Sequence, residues 1–468
     1  MIPTEARTLP ISRCGVSEII DVLHTFVEET GIPGASAAVF SADGTISSAA
    51  VGVRAVDAPQ EPMTTDTAGP LYSLSKLLTM TGIAILVDQG ELSFDEPITR
   101  YLPDTEQTER FSTTTLRHLL SHTSGLLPVA PSPTHPAQSY DALERWALGA
   151  GLTTGRLSLP EQGVFGYSNV GVALAGYVAQ RVAQEPFAYA MRDLLFGPAR
   201  MRRATFDPLV AMTGPITQQH MQDKGRLWVR RRFDLPAEFM PCTGAFGSVT
   251  DLARLGMVLL GMDSVRPLLS ERLRRDILHP TVDVGLDIER IHGLAVAQWP
   301  RYGGMACIGH DGHWSGCWLR LAIIPELRIG AAWLDNRDFD RGLRGIRTSS
   351  IDQLLHLAGA GSRDAARAYV PNDLPSVAVA SGTYARPAGR PIEITAENDA
   401  LVATDGPRTA RYSHLSGRVF VADESKDLMG YVPWEPEIHT DRSALCLVGP
   451  PKSPTHLLLN GVPYRRVR

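Results

Sequence analysis

Hydrophobic and polar positions follow three successive regimes along this chain. Helical spacing over Val16 to Glu29 predicts an opening helix. Ala35 to Phe40 and Thr45 to Val53, joined by Asp43-Gly44, read as a β-hairpin. Helical patterns then dominate from about residue 73 to 260. Within them Leu77, Met80, Ile83, Ala84 and Val87 recur at helical spacing, so Lys76 to Gln89 is expected to be an amphipathic helix stopped by Gly90. Val170 to Tyr177 reads as a buried helix. Strands return near 294–298 and 305–334, where Cys317 to Ile324, apolar except for Arg320, and Ile329 to Leu334 flank a Pro325-Glu326 turn. A helix follows over 341–358. Strands, a helical middle and returning strands predict an α/β (α+β) domain whose sheet joins both of its ends.

The third regime is different. Gly359-Ala360-Gly361 through Pro371-Asn372-Asp373-Leu374-Pro375 reads as a linker. Beyond it, nine short strands are expected at 380–386, 391–396, 400–404, 409–414, 417–422, 428–433, 443–448, 455–459 and 462–467, separated by Gly-, Pro-, Asp- and Asn-rich turns. That is the pattern of a small antiparallel barrel or sandwich. The expected domains are therefore 1–360, a linker over 361–375, and a β-domain over 376–468.

Three short motifs in the large domain carry chemistry. They are Ser73-Leu74-Ser75-Lys76, Tyr167-Ser168-Asn169 and His310-Asp311-Gly312. S-x-x-K, Y-x-N and H-x-G each occur once in the chain. A helix starting near Ser73 places Lys76 one turn on, on the same face. Serine is a weak nucleophile and needs an adjacent base, which an amine held out of water can supply. The helix N-terminus offers N–H groups to a developing oxyanion. Tyr167 lies in a loop entering a helix, where its phenol could relay protons, and Asn169 could meet a substrate carbonyl and the lysine. The glycines around His310 admit close approach of a substrate backbone. Each motif alone has a plainer account: a serine cap with a surface lysine, a buried tyrosine beside a cap, a turn with a surface histidine. Their ordered occurrence does not.

Together these residues resemble the penicillin-binding-protein and class C β-lactamase superfamily of active-site-serine enzymes. Leu116-Arg117-His118-Leu119-Leu120-Ser121-His122-Thr123-Ser124-Gly125-Leu126 is similar to the family's loop between its first two motifs. Pro160, Gly163 and Phe165 before Tyr167, and Thr243-Gly244-Ala245-Phe246-Gly247-Ser248, are similar to further family segments. The resemblance spans about residues 18 to 358 and implies a serine β-lactamase-like catalytic domain. It implies that Ser73 is the acylated nucleophile, that Lys76 and Tyr167 share base and acid duties, and that Asn169 positions the substrate amide and Lys76. It also implies an oxyanion hole from the backbone N–H groups of Ser73 and His313. His310 stands where many relatives carry lysine; histidine is commoner in the esterase, D-aminopeptidase and peptide-cyclase branches. The layout most resembles penicillin-binding-protein-type thioesterases, which add a C-terminal lipocalin-like barrel. Two activities are thereby implied. One is head-to-tail macrocyclisation of a peptide released from a carrier-protein thioester in nonribosomal peptide biosynthesis. The other is hydrolysis by a D-stereospecific aminopeptidase, amidase or esterase.

Bulk properties add exclusions. Over 468 residues the chain is 44% hydrophobic and 20% charged with net charge −5, which gives no reason to expect a nucleic-acid or membrane partner. Met1 to Pro10 lacks a basic segment followed by an apolar core, and the five cysteines form no paired framework, so a cytoplasmic site is expected. His118 and His122 have metal-ligand spacing but no intervening glutamate, so no metal and no cofactor is expected. Arg230-Arg231-Arg232 could dock an acidic peptidyl carrier protein, or simply be a solvated basic cluster. Gly312 and Trp314 are candidates for lining the acyl pocket. Arg465 and Arg466, in the last expected strand, are candidates for reaching a substrate carboxylate or carbonyl.

Overall fold

The computed structural model describes residues 15–126, 141–153, 163–231, 233, 236–263, 267–279, 282–283, 291–314, 316–338, 341–364, 377–386, 390–416, 418–423, 444–450, 452–459 and 462–468. The expected strand at 428–433 and most of the expected linker lie outside them.

The large domain is built on an eight-stranded sheet. Its order is Ile46–Gly52, Gly34–Phe40, Ile329–Asp335, Cys317–Ile324, Met305–Trp314, Ala297–Tyr302, Ile291–His292 and Val282–Asp283. Neighbours run antiparallel throughout, and the N-terminal hairpin joins the returning strands through Ala35 opposite Asp335. The central strands are buried along their whole length, which is why they read as continuous apolar runs rather than alternating ones. Strand alternation sorts their side chains into two cores. Ala37, Val39, Ile324, Ala331 and Trp333 pack against the helices Val16–Thr30 and Arg341–Leu357. Ala38, Phe40, Leu319, Leu321, Ile323, Ala332 and Leu334 join the helical middle of the chain on the other face.

Two local expectations change. The helix that follows Ser73, Ser75–Asp88, is buried from Ser75 to Leu86 on every side rather than amphipathic. Its polar groups are compatible with this because they find carbonyls: Thr79 Oγ1 donates to Pro241 O at 2.6 Å and Thr81 Oγ1 to Leu77 O at 2.7 Å. A hairpin of Gln219–Asp223 and Arg226–Arg230 interrupts the helical middle. Its two-residue turn holds Lys224 at φ 45° and Gly225 at φ 80°; a lysine in a left-handed position hid the usual Asn-Gly signature.

The small domain is a closed barrel of eight antiparallel strands: Gly382–Ala385, Ile392–Glu397, Ala400–Asp405, Arg408–Ser416, Val419–Ala422, Ala444–Val448, His456–Leu459 and Val462–Arg466. Pairing of Tyr384 with Arg466 closes it and leaves no open edge. Tyr384, Tyr412, Tyr464, Phe420 and aliphatic side chains form its core.

Candidate active site

Ser73 lies in a 3-10 turn, Tyr72–Leu74, that runs directly into the buried helix. Lys76 Nζ donates to Ser73 Oγ at 3.1 Å and to the carbonyl of Cys242 at 3.0 Å. Its side chain is fully buried. The Tyr167 hydroxyl donates to Ser73 Oγ at 2.9 Å, and Lys76 Nζ stands 4.9 Å from the centre of the Tyr167 ring. The serine oxygen thus sits between two groups able to exchange its proton. Reversal of either contact, with an amine or phenolate accepting, places a base within 3.1 Å of the hydroxyl.

The turn holding Ser73 is strained and buttressed. Tyr72 has φ 45°, a conformation that is costly for a bulky residue. Its hydroxyl accepts a hydrogen bond from Gln219 Nε2, contributed by the unforeseen hairpin. Thus a residue of no recognised motif helps set the backbone immediately before Ser73.

Asn169 opens the helix Asn169–Ala183, with Ser168 as its cap accepting the Gly171 N–H at 3.0 Å. The capping role read from the sequence and the site role coexist in adjacent residues. Asn169 makes no hydrogen bond to Lys76; the Cys242 carbonyl takes that place. The Asn169 amide oxygen is buried with no hydrogen-bond partner, an acceptor that a substrate N–H would satisfy.

The third motif lies on Met305–Trp314, fifth in the sheet order. Its neighbour Ala297–Tyr302 pairs with it only as far as Gly309, so residues 310–314 leave that ladder and lie against the Ser73 turn. A Cβ at Gly312 would fall 2.0 Å from Leu71 O and 3.3 Å from Leu74 N. Glycine is required there because the strand backbone touches the turn that holds Ser73. That proximity is what an oxyanion pair from Ser73 and His313 needs. His310 and Trp314 share the face of Gly312 by alternation. His310 is buried, and its Nδ1 donates to the Asp311 carbonyl at 2.6 Å. Trp314 is 41% exposed, at the end of the strand. On the opposite face, Arg320 grips Asp311 through two bonds of 2.5 and 2.7 Å and braces the strand.

His122 was a metal candidate in the sequence, but the structure gives it another task. It lies beyond its helix at φ 59°, accepts the Ser168 N–H on Nδ1 at 3.1 Å, and receives the Gly166 N–H on its carbonyl at 2.8 Å. Its ring lies 4.5 Å from that of Tyr167. His118 instead caps its own helix, accepting the Thr115 N–H at 3.2 Å. Cys242 Sγ donates to Phe239 O, and burial pushes its thiol up to about 11, so the sulfur beside the lysine stays protonated. Arg231 pairs with Asp57 at 2.7 Å, and Arg232 lies outside the described residues.

The two arginines of the last strand diverge. Arg466 donates to the carbonyls of Val379, Ser381 and Arg468 and lies over Tyr384, so it anchors the barrel and is not available to a substrate in this arrangement. Arg465 alternates to the outer face and is exposed.

Fold and site together define an active-site-serine enzyme. The chain belongs to the beta-lactamase family, whose model matches residues 19–355. Penicillin-binding protein 4 of Amycolatopsis lactamdurans is 28% identical over 410 residues, covering 82% of this chain and all of that protein. A solved structure of SurE with D-Leu matches with TM-score 0.74 at 23% identity, covering 97% of this chain and 99% of its own. D-amino acid amidase from Ochrobactrum anthropi SV3, complexed with L-phenylalanine amide, matches with TM-score 0.59 at 22% identity, over 73% of this chain and 97% of its own. The family is one of serine acyl-transfer enzymes and hydrolases. No helix among the described residues is long and apolar enough to cross a membrane.

Proposed function

We propose that this protein is a serine acyl-transfer enzyme that releases a peptide by head-to-tail cyclisation from a carrier-protein thioester. The observation that carries the chemistry is the Ser73 hydroxyl between Lys76 Nζ at 3.1 Å and the Tyr167 hydroxyl at 2.9 Å. Ser73 Oγ attacks the thioester carbonyl and gives its proton to Tyr167 or Lys76. The carbonyl oxygen becomes an oxyanion held by the backbone N–H groups of Ser73 and His313. Collapse breaks the carbon–sulfur bond, and the thiol leaves with a proton. The peptide's own amine then attacks acyl-Ser73, a proton passes to the same base, and Ser73 is regenerated with a new amide. In this reading Asn169 accepts from the acyl-residue amide, and the exposed Trp314 and Arg465 are the side chains proposed to meet the rest of the peptide.

The two-domain layout, which SurE shares over 97% of this chain, fits the cyclase reading through the resemblance to penicillin-binding-protein-type thioesterases, and the histidine of the third motif fits both readings. The D-Leu in that structure supports a D-residue at the acyl end. A hydrolase acting on D-amides or esters is the second reading, favoured by the likeness of the catalytic domain to D-amino acid amidase. The deciding experiment uses a peptide thioester mimic with a free N-terminal amine and a C-terminal D-residue, against a Ser73→Ala control. Product lighter by the thiol alone supports cyclisation. Product lighter by the thiol but heavier by one water overturns it in favour of hydrolysis.

A further inference from the structure

The loop that presents Tyr167 has no regular structure of its own between Gly163 and Ser168. Something outside the loop must fix the phenol within hydrogen-bonding distance of Ser73. One support is His122, already described. The other comes from the barrel. Val164, Phe165 and Tyr167 form one buried cluster with Val419, Val421, Cys446 and Leu458. Those barrel residues point outward, because their strand neighbours Phe420, Ala422, Leu445, Leu447, Leu457 and Leu459 fill the barrel.

The outward set is ordered. Val419 pairs with Cys446, Cys446 with Leu458, and Leu458 with Pro463. This cross-strand row spans four adjacent strands on one face. Apolar side chains in a continuous row on the outside of a barrel need a cover, and the cover here is the tyrosine loop. At its end the fit is backbone-tight: a Cβ on Gly166 would lie 2.9 Å from Pro463 Cγ and 3.1 Å from Cδ.

We infer that the barrel is a clamp on the active site, and that Pro463 and Leu458 are positioning residues acting through Tyr167. Val419 and Cys446 extend the same ridge. This rests on the reading of Tyr167 as a proton carrier in acylation of Ser73. Docking of the barrel sets the tyrosine, whereas Ser73 and Lys76 are held within the large domain. Displacing the ridge therefore removes the tyrosine's share of the rate and leaves the serine–lysine pair in place.

The test uses the full chain and a small chromogenic ester, with a fluorophosphonate to count reactive Ser73. Gly166→Ala pushes a methyl group into Pro463. The expected result is a loss of about 10- to 100-fold in kcat, with KM for the small ester little changed and the pH profile moved toward that of Tyr167→Phe. Pro463→Ala removes both atoms in the way, so the double variant recovers most of the loss. In a Tyr167→Phe background, Gly166→Ala adds no further loss. Leu458→Ala, which adds no bulk, gives a smaller loss of the same kind and serves if Gly166→Ala does not fold. An equal loss in the Tyr167→Phe background, or no recovery in the double variant, overturns the inference. Wild-type enzyme unlabelled at Ser73 overturns instead the acyl-transfer reading on which it rests.

Discussion

The two arms of the site are built in opposite ways. Ser73 and Lys76 are three residues apart, carried by one turn and one helix that is buried on all sides of its first three turns. Tyr167 is 94 residues from Ser73 and rides on an irregular loop held between His122 and the outside of the barrel. The first arm is set by helix geometry, which changes little unless the domain unfolds. The second is set by two packing surfaces from distant parts of the chain, each of which can shift alone. Ser73 and Lys76 are thus held together within one element, while Tyr167 is open to adjustment by whatever moves the barrel.

The largest effects should come from the rigid arm. Ser73→Ala is expected to abolish fluorophosphonate labelling and ester turnover. Lys76→Ala should lower turnover by about 10³-fold or more, beyond the loss in Tyr167→Phe. The reverse ranking, measured as kcat/KM on one ester, would break the comparison.

Next comes the contact between the motif strand and the nucleophile turn. Gly312→Ala sets a methyl group 2.0 Å from Leu71 O. The strand must retreat, and a shift of about 1 Å in a positioned group can cost on the order of 10²-fold. The rate of acylation, read with thermal stability, checks it: unchanged acylation would show that the strand edge does not serve Ser73.

The tyrosine arm should be more graded. His122→Leu removes the acceptor for the Ser168 N–H and places a branched side chain at φ 59°. His122→Asn keeps an acceptor and a residue at ease in the left-handed region. A loss of about 10- to 100-fold is expected for Leu and a smaller one for Asn. Equal losses would mean that the imidazole ring against Tyr167, rather than the backbone of the loop, is what matters.

The smallest effect is on stability and pH. His456 faces out of the barrel in register with Arg465 and is buried with Nε2 making no hydrogen bond. Burial, with a lesser push from the charge of Arg465, lowers its pKa from 6.5 to about 4. The unfolded chain therefore binds more protons between those values. The contribution of neutral His456 to stability is complete above pH 6.5 and is lost as pH falls toward about 4. Melting temperature across that range should flatten in His456→Gln. A slope equal to that of the wild type would assign the loss to other groups.

Much of the frame was legible from pattern alone. The opening helix, the first hairpin, the strands at 317–324 and 329–335, the last helix of the large domain and the β-rich small domain all follow from periodicity and turn chemistry. The nucleophile helix was found, but its spacing of aliphatic residues hid burial on all sides, since Ser75, Lys76, Thr79 and Thr81 read as a polar face. They are instead satisfied by local or distant oxygen atoms and one backbone N–H.

What the sequence by itself determined is local: the S-x-x-K pair, because one helical turn fixes its geometry, and the glycine of H-x-G, because only glycine admits a backbone so close. Tertiary structure alone decided the rest. The Cys242 carbonyl that receives Lys76 lies 166 residues away and is a backbone atom that every residue possesses. Gln219 beneath Tyr72, and Pro463 against Gly166, belong to no motif. Their roles arise from which surfaces meet when the sheet closes over the helical middle and the barrel docks, and a period of 2 or 3.6 residues carries no record of that meeting.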